Sequence, residues 1–334
     1  MPPGQTLDDA TAYGEKGTMY MRRGDYMEAL RTYDSCLRIQ LVALGDRHPM
    51  VAQTIDLMGV AFLRLGKVRE ASETFEKALL VYEAMRVDGN TAYSVDWALT
   101  VMHIGQALEL EAENHPKVSA YKIDGEVDSL TNKAYQYYQE ALEVFQVEER
   151  DVPDGADLDI ANIMHCMGNV HNIRGEYMQA LRKYKLALKD KIELLGEKDV
   201  SVGWTKCNIG NSLRGIGKID EAIKWYTEAL ETVTRHLGTH HPEVAHVHWN
   251  LALAHQNKGE TEADRRASSW RNVWFLRPFL GSARRLGHEG YEFQRMEKHL
   301  RHAFDVFEKR LGDDHMSLER AKEAIIALEQ LKRD

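Results

Sequence analysis

The stretch "GKIDEAIKWYTEAL" occupies 217–230, and the same pattern stands at three other places in the chain. These are "GDYMEALRTYDSCL" at 24–37, "GKVREASETFEKAL" at 66–79 and "GEYMQALRKYKLAL" at 175–188. Counted from its first Gly, each segment has an apolar residue at +2, Ala at +5, an aromatic residue at +9 and a small residue at +12. The last three are spaced four and then three apart, so they share one face of a helix.

A second Gly lies seven residues before the first Gly of each segment, and these are Gly17, Gly59, Gly168 and Gly210. The residues between the two Gly are the end of a preceding helix. The later Gly falls in a turn, where a residue without a Cβ is accommodated most easily. The repeated unit is therefore predicted to be helix, tight turn, helix. Such a pair cannot bury its apolar face alone, so copies must stack on each other.

The pattern resembles the tetratricopeptide repeat, because with Gly168 as position 8 the family's residues follow at positions 15, 20, 24 and 27, namely Gly175, Ala180, Tyr184 and Ala187. The repeats recur every 42 residues, as from Gly168 to Gly210, instead of the common ~34. Longer repeats with linkers such as "LGTHHPEVA" resemble those of the kinesin light chain family, over 7–331. The heptad coiled coil of that family is not found in these 334 residues. The resemblance implies an all-α, right-handed superhelical solenoid that binds protein partners.

The repeats predict a single tetratricopeptide solenoid over 1–334. Its six repeats span about 7–48, 49–90, 91–153 with an insertion, 158–199, 200–241 and 242–314 with an insertion at 261–292. Residues 315–334 are expected to form a capping helix, since a terminal repeat needs a polar outer face.

The insertion at 261–292 differs in composition from the repeats. It has six Arg and no Lys, together with large apolar side chains such as Trp270, Trp274 and Phe279. Removing it places Phe293 at position 17, which restores the repeat. Three interpretations stay open: a surface that contacts a membrane or partner, a self-inhibitory segment that occupies the groove, or retained non-coding sequence.

Positions 2, 5, 6, 9, 12 and 13 of the first helix in each repeat form one stripe, which the resemblance places in the concave groove. In repeats four to six this stripe is rich in amides, and a side-chain amide can bind the backbone of an extended peptide. The predicted peptide-binding residues are His165, Asn169, Asn172, Asn208, Asn211, Arg214, His246, Trp249 and Asn250. The stripe of repeats one to three, which includes Glu109, has mixed charges and no such ladder.

Each of these residues also has a purely structural interpretation. Asn208 and Asn250 bind either a peptide or a neighbouring helix. Trp249 either anchors a peptide or fills the gap between repeats. Arg214 either pairs with an acidic partner or is solvated.

The composition favours a cytoplasmic protein that does not bind nucleic acid. The net charge of −9 argues against nucleic-acid binding, because binding to phosphates requires a cationic face. Three widely spaced Cys do not resemble a disulfide framework, and no apolar run approaches the ~20 residues of a membrane span. Membrane contact is expected, if anywhere, through 261–292.

The sequence predicts no catalytic residue, no metal site and no cofactor. Five His between 236 and 248 lack a zinc-ligand pattern, and no phosphate loop or nucleophile motif stands out. The favoured function is a non-catalytic interaction scaffold that binds a protein or peptide partner. The alternative is a structural spacer of a large assembly that uses its convex faces and edges. An enzyme would need its site in the insertions.

Overall fold

The computed structural model describes residues 6–87, 94–115, 125–148, 156–266, 291–311 and 315–333. Within these ranges the chain forms helices joined by short connections and contains no strand. Two compact units are present, Met1–Asp190 and Lys191–Asp334. The single solenoid over 1–334 stays a prediction, while the all-α architecture of paired tetratricopeptide helices is confirmed.

The first unit stacks helix pairs, each made of a first and a second helix of one repeat. Within a pair α1 packs on α2, α3 on α4 and α5 on α6, and successive pairs stack through α2 on α3, α4 on α5 and α6 on α7. The helices are α1 (Leu7–Arg23), α2 (Tyr26–Leu44), α3 (Pro49–Arg64), α4 (Val68–Val87), α5 (Ser94–Asn114), α6 (Gly125–Glu148), α7 (Ala156–Ile173) and α8 (Tyr177–Leu195), whose last turn lies past the end of this unit.

The second unit continues the same alternation. Its helices are α9 (Val200–Gly215), α10 (Ile219–Leu237), α11 (Pro242–Arg266), α12 (Tyr291–Arg310) and α13 (Met316–Arg333). The pairs are α9 with α10 and α11 with α12, and α10 also packs on α11. Helix α13 covers α12 and buries Ala324 and Leu328 against it.

A close contact between position 8 and position 24 recurs in five helix pairs. A Cβ added to Gly17 would lie 2.4 Å from the Tyr33 ring, and the other four glycines would clash with their rings at 2.4 to 2.6 Å. These rings are almost completely buried. The pairs are Gly17 with Tyr33, Gly59 with Phe75, Gly105 with Tyr138, Gly168 with Tyr184, and Gly210 with Tyr226. Position 8 is therefore Gly because a ring occupies the space of its side chain.

The turn inside four of the helix pairs depends on a second Gly in the left-handed region, namely Gly24, Gly66, Gly175 or Gly217. Gly217 has φ = 83°, its N–H donates to the Arg214 carbonyl at 3.0 Å, and the Lys218 N–H donates to the Leu213 carbonyl at 2.9 Å. These bonds satisfy carbonyls at the end of α9. The chain therefore reverses within three residues and starts α10 at Ile219.

The sixth repeat departs from the prediction at its turn. Gly259 lies at position 15 of this repeat, where the repeat pattern predicts a tight turn, but α11 continues through it to Arg266, because strong helix formers follow it. Helix α12 covers Tyr291–Arg310, and the insertion bounds of 261–292 stay a prediction. Most of the 261–292 insertion, like the insertion of the third repeat around 116–124, lies outside the described residues.

Gly17→Ala and Gly14→Ala test the ring contact within one helix. Gly17→Ala should lower the free energy of unfolding by about 1–3 kcal/mol, because the added methyl group displaces the Tyr33 ring. A Cβ on Gly14 would meet only the Cys36 Sγ at an ordinary 3.8 Å. Gly14→Ala should therefore be neutral or stabilise by up to ~1 kcal/mol through helix propensity. Urea denaturation measures both, and equal effects would contradict the contact.

Candidate functional site

All nine predicted groove residues are half-buried and lie on first helices of repeats. Helix α7 of the first unit carries His165, Asn169 and Asn172. In the second unit, α9 carries Asn208, Asn211 and Arg214, and α11 carries His246, Trp249 and Asn250. Spacings of three and four residues place each set along one face of its helix.

The Asn169 amide links three helices of the first unit. Its Oδ1 accepts a hydrogen bond from the Tyr184 hydroxyl at 2.6 Å, and its Nδ2 donates to Glu109 Oε1 at 2.8 Å. The other oxygen of Glu109 accepts from the Tyr138 hydroxyl at 2.9 Å. The His165 ring contacts the Tyr184 ring edge-on, with centroids 5.4 Å apart. Two repeats are thus joined by one polar network next to the predicted peptide face.

Asn211 plays the same role in the second unit. Its Oδ1 accepts from the Tyr226 hydroxyl at 2.7 Å, and its Nδ2 donates to Asn208 Oδ1 at 3.2 Å. Burial raises the pKa of Tyr226, and the positive charge of Arg214 partly offsets that effect. Whether Arg214 pairs with an acidic partner stays a prediction.

The recurrence of Asn at position 9 follows from the buried hydroxyl at position 24. A buried O–H needs a partner, and Thr18 supplies it to Tyr33 at 3.3 Å in the first repeat. Where position 24 has no hydroxyl, position 9 is apolar, as in Val60 with Phe75 and Leu253 with Leu300. The third repeat has Gln106 at position 9, whose amide donates to Cys166 Sγ at 3.4 Å, and its Tyr hydroxyl bonds Glu109. The structure therefore adds a structural role to Asn169 and Asn211.

The residues on α11 are also tied into the second unit. Asn250 Nδ2 donates to Cys207 Sγ at 3.4 Å. Burial raises the pKa of Cys207 to about 12, so its sulfur is a neutral thiol that accepts this bond. Trp249 packs against the apolar cluster of α12 and α13, and the His246 ring lies 4.8 Å from the Phe307 ring. Trp249 thus fills the gap between helices, and its role as a peptide anchor stays a prediction.

Glu109 has a role that the sequence analysis did not assign. The residue keeps some exposed surface, but its carboxyl group sits between Tyr138 and Asn169. Burial raises the pKa of this carboxyl from 4.5 to about 8, while the hydrogen bonds from Tyr138 and Asn169 lower it and the charge of Glu113 raises it. The group therefore carries a proton at neutral pH. The sequence feature that could have indicated this role is an acidic residue at position 12 of the same repeat that has Tyr138 at position 24.

The described residues contain neither a metal-binding cluster nor a helix that could cross a membrane. No group of three or more His, Cys, Asp or Glu side chains there has an arrangement that would hold a metal ion. None of the helices in those ranges has the length and apolar character needed to cross a membrane.

Glu109→Gln should remove a pH dependence of stability. The folded pKa is raised, so between about pH 4.5 and 8 the unfolded chain loses a proton that the folded chain keeps. In this window the unfolding equilibrium constant of the wild type rises by up to ~10-fold per pH unit from this group alone. Urea denaturation across the window should show a flatter profile for Glu109→Gln. The exposed Glu140→Gln on α6 is the control, and identical profiles for all three proteins would contradict the raised pKa.

Comparison with known proteins identifies the repeat family. The family model described as tetratricopeptide repeat matches residues 8–84, 159–234 and 201–263, which together make up more than half of the chain. Among solved structures, the Rap conjugation gene regulator of the plasmid pLS20, in complex with the Phr* peptide, is similar with a TM-score of 0.54 and 17% identity over 97% of this chain and 74% of that one.

Two curated relatives come from Arabidopsis thaliana. Protein KINESIN LIGHT CHAIN-RELATED 3 is 25% identical over 260 residues, which are 78% of this chain and 36% of the relative. Protein KINESIN LIGHT CHAIN-RELATED 1 is 26% identical over 226 residues, 68% of this chain and 33% of the relative. The chain thus spans about a third of the length of these relatives. It belongs to the tetratricopeptide repeat family, with repeats of the kinesin light chain-like kind.

Proposed function

We propose that the chain is a non-catalytic scaffold that binds an extended segment of a protein partner, with contacts on the stripe of α9 and α11 in the second unit and, separately, on that of α7 in the first unit. The observation that carries the proposal is unused hydrogen-bonding capacity on half-buried amides of the second unit. Among the described residues, Asn250 Oδ1 and the second Nδ2 hydrogen of Asn211 have no hydrogen-bond partner. A peptide backbone supplies an N–H for the first and a carbonyl for the second.

The comparisons support a protein partner at a coarser level. Families of tetratricopeptide and kinesin light chain type are generally interaction scaffolds without catalysis. The Rap regulator with the same fold was solved with a peptide bound. We extend this mode of binding to the present chain, and in the first unit we propose His165, Asn169 and Asn172 on α7 as a contact surface of its own.

The proposal places the chain in the cytoplasm and assigns it no nucleic acid, metal or cofactor. The net charge of −9 disfavours nucleic acid. Neither membrane contact through 261–292 nor an enzyme site in the insertions is proposed, because those segments lie mostly outside the described residues.

A second candidate function is a spacer that uses the outer faces of the repeats. It is favoured by large apolar side chains of the first unit that are more than half exposed and that lie on second helices. Val42 and Leu80 are each 65% exposed, and the others are Val147, Met178 and Leu186. Partners of a spacer would contact these side chains and would be insensitive to changes in the stripe.

Selection of displayed random peptides on the full chain tests the scaffold. We expect binders whose affinity falls about fivefold or more in Asn250→Ala and in Arg214→Gln, since each lost hydrogen bond is worth about 1 kcal/mol. Arg235→Gln is the matched control, because Arg235 is exposed on α10 and pairs only with Glu231.

The scaffold proposal would be contradicted if no peptide were recovered. Binders that are indifferent to both stripe substitutions but weakened by Leu80→Ser or Leu186→Ser would favour the spacer instead.

A further inference from the structure

Four His side chains meet between α11 and α12 and form a histidine cluster: His248 and His255 on α11, with His299 and His302 on α12. The Nδ1 atoms of His248 and His299 are 2.7 Å apart. The His302 ring centroid lies 4.1 Å from that of His248, and the His255 ring stacks on His299 at 5.8 Å with an interplanar angle of 4°. None of the four belongs to the predicted peptide face.

The contact between His248 and His299 requires a neutral ring. A hydrogen bond between two imidazole nitrogens needs one N–H donor and one lone pair, and an imidazolium has no lone pair to offer. If both rings were protonated, two N–H groups would point at each other over 2.7 Å. The close packing of α11 on α12 at this point therefore exists only while the cluster is incompletely protonated.

The charged groups around the cluster do not balance the positive charge that its His rings would gain on protonation. Glu292 already accepts from His255 at 2.5 Å and from Lys258 at 3.2 Å. His302 Nε2 contacts the Thr239 carbonyl at 3.0 Å. The cations of α12 that act on the rings are Arg295 and Lys298.

On the other packed helices, several charged side chains are held in ion pairs. On α10, Asp220 pairs with Lys258 of α11. On α9, Lys206 pairs with Glu197 and Glu228. On α13, Glu329 pairs with Arg301 of α12. Within the described part of the chain, no ion pair or hydrogen bond therefore joins a carboxylate to His248, His299 or His302.

The titration of the cluster agrees with its geometry. Burial, followed by the neighbouring rings and Lys298, lowers the pKa of His248 from 6.5 to about 3. Burial lowers the pKa of His299 to about 4, and the charges of His255, Lys298, Arg295 and His302 act in the same direction. Burial also lowers the pKa of His255, against the opposing effect of Glu292. Stability from these groups is present above the unfolded value of ~6.5 and is lost as pH falls towards the folded values.

We propose that the α11–α12 pair is an acid-sensitive element: protonation of the histidine cluster below about pH 6 separates α12 from α11 and loosens the C-terminal part of the second unit. The sixth repeat then opens while the α9–α10 pair, which the cluster does not enter, stays folded. This inference does not depend on the proposed scaffold function, because it concerns the contact between two helices of the chain itself.

Amide hydrogen exchange of the full chain tests this directly. Rates at about pH 7.5 and 5.5, corrected for intrinsic exchange, give the opening equilibrium of each helix pair. Each ring that gains a proton only in the opened state should raise opening of α11–α12 about tenfold over this change. His248 and His299 together should give about 100-fold, with little change in α9–α10. Equal responses of the two pairs, or no added opening of α11–α12, would overturn the proposal.

A substitution assigns the response to the cluster. His299→Gln keeps a donor and an acceptor but does not titrate, so it should reduce the acid response of α11–α12 by about tenfold. The control is His240→Gln, because His240 is exposed and lies outside the cluster. If His299→Gln showed the same acid-induced opening of α11–α12 as the wild type, the assignment of that opening to the histidine cluster would be wrong. If this variant fails to fold, the comparison of the two helix pairs in the wild type still decides.

Discussion

The contact on which the repeats depend is that of a helix glycine with an aromatic ring. A ring at position 24 lies against the backbone of the first helix at position 8, where even a methyl group would clash at 2.4 to 2.6 Å. The contact sets how closely the two helices of a pair approach, and the turn glycine allows the chain to reverse in three residues. The sixth repeat has Ala252 at position 8 and Leu300 at position 24. Because Leu is smaller than an aromatic ring, position 8 of this repeat can carry the methyl group of Ala.

This contact has a polar consequence. A Tyr ring that is buried against glycine also buries its hydroxyl, and the neighbouring position 9 or 12 must then supply an oxygen. Asn169, Asn211 and Glu109 do so, and their remaining atoms reach Asn208 or the adjacent repeat. Asn169 and Asn211, which the sequence predicts to bind a peptide, therefore have a structural role in the repeats as well. Under the proposed function, side chains held in place by these hydrogen bonds lower the cost of binding an extended segment.

Much of the fold is readable from the sequence, because Gly, Ala and aromatic residues recur at fixed spacing and each spacing corresponds to a helix face. The continuation of α11 through Gly259 was missed, since a Gly at the turn position outweighed the helix formers that follow it. The candidate residues were placed correctly on first helices, but not their partners. Asn169 reaches Glu109 across 60 positions of sequence, and His248 meets His299 across 51. Such contacts depend on how repeats stack, which local spacing does not encode.

The most direct test of this account is a double-mutant cycle on Tyr226 and Asn211, read by urea denaturation. Asn211→Val alone should cost about 1–3 kcal/mol, because it leaves the buried Tyr226 hydroxyl without its acceptor. Adding Tyr226→Phe should recover most of that loss, since the pair then matches the apolar arrangement of Val60 with Phe75 in the second repeat. If the double variant instead loses the sum of the two single effects, the position 24 hydroxyl does not determine position 9, and the account is contradicted.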